Sequence, residues 1–363
     1  MTHTLTTLPA ADGFRMPAEW GPHAGTWMIW PERPDNWRAD AEPAQDAFVA
    51  VASAIARFEP VTMLASPRQW RHARAALPPS VRVVEATSDD SWCRDCGATF
   101  LTDSAGRLRG VDWGFNAWGG LYAPCDQDEL IAAKMLEIER APRYVAPLVL
   151  EGGSIHVDGE GTVLTTEECL LNPNRNPDLS REEIEQHLKD YLGVSKVLWL
   201  GAGLVDDETS GHIDNLACFI RPGVVALTGC DDPLDPQYPI SKDARERLST
   251  MTDARGRALE IVTLPLPGPL FRSGEEALDL GTEPGTMSRR PGERLGASYA
   301  NFYLGNGFVL MPLLDPAQDE AAQAILARLF PEREVVGVPT HEIILGGGNI
   351  HCITQQQPAG TPG

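Results

Sequence analysis

No run of 18 apolar residues occurs anywhere in the chain, so nothing in it reads as a membrane-spanning helix. Basic residues are scarce. Against 51 Asp and Glu stand 30 Lys and Arg, a net charge of −21 that repels nucleic acid and anionic membranes and attracts cations. Taken alone, the acid excess would equally serve solubility. The paired motifs of zinc sites are missing too: "CRDC" at 93–96 has no second CxxC, and HExxH is absent. The glycine run "GGGN" at 346–349 lacks the Gly-Lys-Ser/Thr of a phosphate loop. No low-complexity run, linker or composition shift divides the chain, which predicts one domain over 1–363 with flexible ends at 1–12 and 359–363. The 7 cysteines are odd in number and scattered, and "MTHTLTTLPAADGFRMP" lacks the basic-then-apolar pattern of a leader. A reducing, cytoplasmic setting is expected.

What is present alternates between two kinds of segment. Helical periodicity runs through 43–58, 66–77, 180–193, 241–256 and 316–330, and each stretch is followed by a short apolar run such as "KVLWLG" or "EVVGVP". Ser180 and Glu183 have capping-box spacing, and Gly193 stands where a helix would end. Between these pairs lie hairpin patterns turning at 104–106, Asp158-Gly159, Pro222-Gly223 and Asn306-Gly307. Hairpin, helix and strand therefore repeat, which predicts an α/β architecture with an internal repeat but little internal identity.

Chemistry-bearing residues cluster at the starts of these units. Asp95 precedes the first hairpin, Glu151 the second, His212 and Asp214 open the third, and Cys352 lies in the last, "GNIHCITQQ". Units arranged about a common axis would bring them to one end of it. Period-2 spacing places His212 and Asp214 on one face of an extended strand. Gly346, Gly347 and Gly348 imply close backbone approach beside Cys352, and Gln355 to Gln357 look like poor core residues. One thiol, one imidazole and several carboxylates suit a guanidinium, a planar cation with five N–H donors that carboxylates can grip while a thiolate approaches its carbon. Cys169 and Cys218 read as packing, His156 and His351 as structural or supporting. A metal held by His212, Asp214 and Glu151 is the rival account.

Six segments carry a resemblance over nearly the whole chain: "MPAEWGPHAGTWMIWP", "DDSWCRDCGATF", "LEGGSIHVDGEGTVLTTEECLLNPNRNP", "DETSGHIDNLACFIRPG", "YANFYLGNG" and "EIILGGGNIHCITQQQP". In them the chain resembles the agmatine deiminases of the guanidino-group-modifying superfamily, which also includes arginine and peptidyl-arginine deiminases. The resemblance implies a pentein fold, an α/β propeller of five pseudo-symmetric ββαβ-type units around a central channel. It implies hydrolysis of agmatine to N-carbamoylputrescine and ammonia through a thiouronium on Cys352, in putrescine formation or agmatine breakdown, with no metal or organic cofactor. By the same resemblance His212 is the general acid and base, Asp95 and Asp214 hold the guanidinium, and Glu151 assists and orients His212. Trp92, Glu208 and Gly347 line the substrate site. Departures from the usual motif fall at Cys96, Ala98 and Ser210. A homo-oligomer, dimer or tetramer, is expected. Alternatives are deimination of free or peptidyl arginine, or a non-catalytic guanidine- or metal-binding module. Accepting arginine would call for a placed cation that the sequence does not locate.

Overall fold

The computed structural model describes residues 3–281 and 289–363. Its strands form five separate sheets with one connectivity: an antiparallel hairpin, a helix, and a strand returning parallel to the hairpin's second strand. The hairpins pair Thr99–Thr102 with Arg107–Gly114, His156–Val157 with Thr162–Thr166, Ala217–Arg221 with Val224–Thr228, and Tyr303–Gly305 with Phe308–Leu313. Their return strands are Arg143–Val149, Lys196–Leu200, Glu260–Leu264 and Glu334–Pro339. A parallel return needs a crossover, and the helices Ile131–Glu139, Arg181–Leu192, Gln237–Thr250 and Asp319–Leu329 supply it.

The fifth sheet is assembled from both ends of the chain. Gln355–Pro358 pairs antiparallel with His23–Ile29, helix Glu42–Ile55 crosses over, and Val61–Ala65 and Arg82–Glu85 follow in parallel. The glutamines at 355 to 357 are thus buried strand residues: Trp27 Nε1 donates to Gln357 Oε1 at 2.8 Å, and Gln355 Nε2 donates to the Ala98 carbonyl at 3.0 Å. The terminal segments expected to be flexible also take part, Thr4–Leu5 pairing with Arg143–Val149 and Thr361–Pro362 with Arg107–Gly114. Residues 1 and 2 lie outside the described residues.

Local signals account for most elements. The capping box Ser180/Glu183 forms, and Gly193 closes its helix at φ 67°, a left-handed conformation that favours glycine. The helix Ile131–Glu139 was not among those expected, although Ile131, Ala132, Met135 and Leu136 are spaced to bury one face, and do so. Among the described residues no helix is long and apolar enough to cross a membrane.

Glu59 ties the fifth sheet to the hairpin of Tyr303–Gly305 and Phe308–Leu313. Its buried carboxylate accepts Thr26 Oγ1 at 2.5 Å, the Tyr303 hydroxyl at 3.3 Å and the Asn306 N–H at 2.7 Å, with His23 Nδ1 at 3.3 Å. Removing it leaves several buried polar groups without their partner. Glu59→Ala should therefore cost about 3–5 kcal/mol in urea unfolding, and a loss below about 1 kcal/mol would show that these contacts do not hold the two sheets together.

Candidate active site

Each hairpin is entered through a short turn, helical at Cys93–Cys96, Gly152–Ser154 and Ile213–Leu216, and these five turns carry the site. Helix Cys93–Cys96 presents Asp95, the turn after Glu151 presents Gly153, helix Ile213–Leu216 presents Asp214 and follows His212, and the turns before Tyr303 and Gln355 present Asn301 and Cys352. His212 and Asp214 therefore do not share the face of an extended strand. A helix of four residues intervenes, with His212 as its N-cap and Asp214 in its first turn. Both still reach the same centre, because the turn rather than the strand aims them.

The geometry is tight and buried. A methyl group on Gly153 would stand 2.6 Å from His212 Nδ1, 2.8 Å from Asp95 Oδ1 and 3.0 Å from Asp214 Oδ2, which only a glycine allows. Gly153 N–H donates to Asp95 Oδ1 at 2.9 Å, and Trp118 Nε1 donates to Asp95 Oδ2 at 3.0 Å. His212 lies between two acids, Nε2 3.4 Å from Glu151 Oε2 and Nδ1 3.8 Å from Asp95 Oδ1. Arg175 Nε donates to Glu151 Oε1 at 2.8 Å. Cys352 Sγ is 3.6 Å from Asp214 Oδ2 and accepts from Asn301 Nδ2 at 3.2 Å. Asp95 and Cys352 face a cavity, while Glu151, His212 and Asp214 stand behind them, all at most 1 % exposed.

Charge states follow from these neighbours. Burial opposes protonation of His212, but Asp95, Cys169 and Glu151 outweigh it and hold its pKa well above the usual value. Burial pushes Asp95 up to about 6; His212 pulls it down, while Asp214 and Glu151 push it further up. Asp214 and Glu151 are lowered despite burial, the first by His351 and His212, the second by His212 and Arg175. Burial, then Asp214 and Asp95, push the Cys352 thiol well above its ordinary range. Before substrate enters, the sulfur is a neutral thiol.

Cys169 is more than packing: its sulfur, a Glu151 oxygen and a His212 nitrogen lie within 4.8 Å of one another, the group of possible metal ligands found among the described residues. Arg175 on Glu151 and the proton on His212 both oppose a cation there. Asp214, the third ligand of the rival metal account, is not in that group.

The rim of the cavity holds Trp92, Trp118, Tyr122, Asp35, Asp90 and Glu208, with Gly346 to Gly348 along one edge. The glycines are there for clearance: a methyl on Gly347 (φ 107°) would meet Glu208 Oε2 at 2.3 Å, and one on Gly348 would meet the Trp92 ring at 2.4 Å. Two cations that the sequence did not locate stand on the same rim. Arg289 forms a two-toothed pair with Glu208, at 2.7 and 3.0 Å, and also donates to Asn36 and the Gly346 carbonyl. Arg33 pairs with Asp35 at 2.8 Å. Asn301 was likewise missed, though its place before the fourth hairpin matches that of the other site residues. Of the departures, Cys96 is buried with its thiol toward the Trp92 carbonyl, and Ser210 adopts φ 66°, a region asparagine enters more readily than serine.

Known proteins resemble the chain over nearly its whole length. The profile of the Porphyromonas-type peptidyl-arginine deiminase family matches residues 15–358. An agmatine deiminase of Pseudomonas syringae pv. tomato is 56 % identical over 362 residues, covering 98 % of both chains. One from Pseudomonas aeruginosa is 57 % identical over 360 residues, again with 98 % of each chain covered. The solved agmatine deiminase of Enterococcus faecalis superposes with a TM-score of 0.96 at 48 % identity, covering 99 % of this chain and 100 % of that one. The chain thus belongs to the Porphyromonas-type peptidyl-arginine deiminase family, in the company of full-length agmatine deiminases.

Proposed function

We propose that this chain is an agmatine deiminase: a hydrolase converting agmatine and water to N-carbamoylputrescine and ammonia, as one catalytic domain of five pentein units set as blades about a common axis. The reading rests on one observation above all, the approach of Asp95, Asp214 and His212 to the point that Gly153 leaves open, with Cys352 Sγ 3.6 Å from Asp214 Oδ2. The relatives act on guanidines by name, and the shared connectivity of the five sheets supports the blade arrangement. All 7 cysteines are free, which favours a reducing, cytoplasmic setting. A homo-oligomer, the dimer or tetramer expected from the sequence, is part of the same proposal. The product suits putrescine formation.

The chemistry follows from the charges. A guanidinium entering the cavity brings N–H donors to Asp95 and to Asp214 Oδ1, a buried oxygen that finds no partner among the described residues. Its positive charge offsets the carboxylates that hold the Cys352 thiol neutral, so on substrate binding the thiol releases its proton to solvent, where it ends on the ammonia formed, and the thiolate remains. Sulfur bonds to the guanidinium carbon, and Asn301 steadies it with an N–H. Protonated His212 delivers its proton to the departing nitrogen, which leaves as ammonia, and an amidino group remains on sulfur. Neutral His212 then takes a proton from water; the hydroxide adds to the same carbon, the C–S bond breaks, and thiol and product are released. Glu151, fixed by Arg175, holds His212 through this cycle.

Agmatine ends in an ammonium where arginine carries a carboxylate. Rim acids Glu208, Asp35 and Asp90 outnumber the cations Arg289 and Arg33, and both cations are already paired. An arginine carboxylate would have to break such a pair or stay unpaired; even about 3 kcal/mol corresponds to roughly a hundredfold. Ammonia release should therefore favour agmatine over arginine by at least about a hundredfold in kcat/KM. Glu208→Gln, which frees Arg289, should shift that ratio toward arginine by about tenfold or more. Equal rates on the two, or a preference for peptidyl arginine, would overturn the choice of substrate. No ammonia from any of them would return the chain to the non-catalytic alternative.

Asp95 must be ionised to grip the guanidinium, and its pKa in the free enzyme is raised to about 6. On a kcat/KM profile this gives an acidic limb: activity is present above that pH and falls about tenfold per unit below it. A profile flat to well below pH about 5 would mean that Asp95 does not carry the binding.

A further inference from the structure

Glu19 lies in the opening "MPAEW" segment, far in sequence from the site, and is 3 % exposed. Arg94 Nη1 donates to it at 3.2 Å, His351 Nε2 stands 2.9 and 3.1 Å from its two oxygens, and His156 Nε2 is 3.7 Å away. The other nitrogen of His351, Nδ1, is 2.9 Å from Asp214 Oδ2. A neutral imidazole donates through one nitrogen, so a ring with a carboxylate at each nitrogen satisfies both only as the imidazolium. Glu19, His351 and Asp214 thus form a straight relay from the N-terminal segment to the acid beside Cys352.

We propose that Glu19 is a positioning residue for the reaction: it holds His351 as a doubly donating imidazolium, so that one N–H fixes Asp214 Oδ2 and leaves Oδ1 for the guanidinium, while the charge of Glu19 cancels that of His351. This rests on the reading of Asp214 as a seat of the substrate. Without Glu19 the cations His351 and Arg94 would stand unbalanced beside the place where a cationic substrate must bind.

The groups facing His351 come from every element around it: Asp214 from helix Ile213–Leu216, Arg94 from helix Cys93–Cys96, Glu19 from the N-terminal segment, His156 with ring centroids 6.4 Å apart, and the thiol of Cys352 next along the chain. Burial and Arg94 disfavour a charge on His351, yet Glu19 and Asp214 prevail and its pKa is raised. Burial works against ionised Glu19 as well, and His351, Arg94 and His156 overcome it, holding its pKa well below the usual value. His156 Nδ1 accepts the Phe219 N–H, so its hydrogen is on Nε2, directed at Glu19.

Two measurements test this. In ¹⁵N-histidine NMR of the full-length wild-type protein, the His351 ring should still be an imidazolium at neutral pH, above the ordinary histidine range; a neutral ring there would overturn the proposal, whatever any variant does. In Glu19→Gln, the ring should lose its proton within the accessible range. With agmatine, kcat/KM of that variant should be at least about tenfold below wild type near pH 6 and should recover toward it as pH rises, steepening the acidic limb by a second ionisation. A purely structural role would lower activity evenly across pH, and an even loss, or a change under twofold, would overturn the proposal. Absence of agmatine turnover by the wild type would instead end the reading of the reaction, while the His351 titration would still decide the relay.

Discussion

Three buried carboxylates around one point cannot all remain ionised unless positive charge stands among them, and the site is organised by this constraint. At about 4 Å and an effective dielectric near 20, two like charges repel by roughly 4 kcal/mol, more than most single contacts contribute. Glu151 is balanced by Arg175, and Asp214 by His351, itself backed by Glu19 and Arg94. Asp95 has N–H donors from Gly153 and Trp118 and shares the charge of His212 with Glu151. It is the least compensated of the three, and it faces the cavity. The residual negative field is therefore directed at whatever enters, and a planar cation with many N–H donors relieves it.

The same field explains the state of the nucleophile. Asp214 and Asp95 disfavour a thiolate at Cys352, which at first looks wrong for covalent catalysis. It becomes a safeguard once the substrate is counted as part of the electrostatics. In the proposed reaction the cation that binds between those acids is the one whose carbon is attacked, so the sulfur gains its charge with its target in place. A buried neutral thiol is poorly reactive toward other electrophiles and oxidants.

Much of the fold could be read from the chain because its signals are local: turn pairs at Asp158-Gly159 and Asn306-Gly307, the capping box at Ser180, apolar strands after each helix. What stayed hidden depends on distant partners. Alternation placed His212 and Asp214 on a strand, but the turn entering that hairpin is helical, as is Cys93–Cys96, and no period over three residues can reveal it. Gln355 to Gln357 looked exposed because glutamine is usually so, yet Trp27 of the same sheet and Ala98 and Glu139 from another unit give Gln355 and Gln357 hydrogen-bond partners. Arg289, Arg175 and Glu19 had no local mark at all. Their roles arise from pairing with groups of opposite charge dozens to hundreds of residues away. Cys352 and its glycines could be read, since close backbone approach leaves glycine as its trace.

The most direct test of the central claim is to quench the enzyme during agmatine turnover and map the modified peptide by mass spectrometry. The account requires one amidino-type adduct, on Cys352, with Cys352→Ala folded yet slower by several orders of magnitude. An adduct on Cys93, Cys96 or Cys169, or turnover surviving in Cys352→Ala, would contradict it.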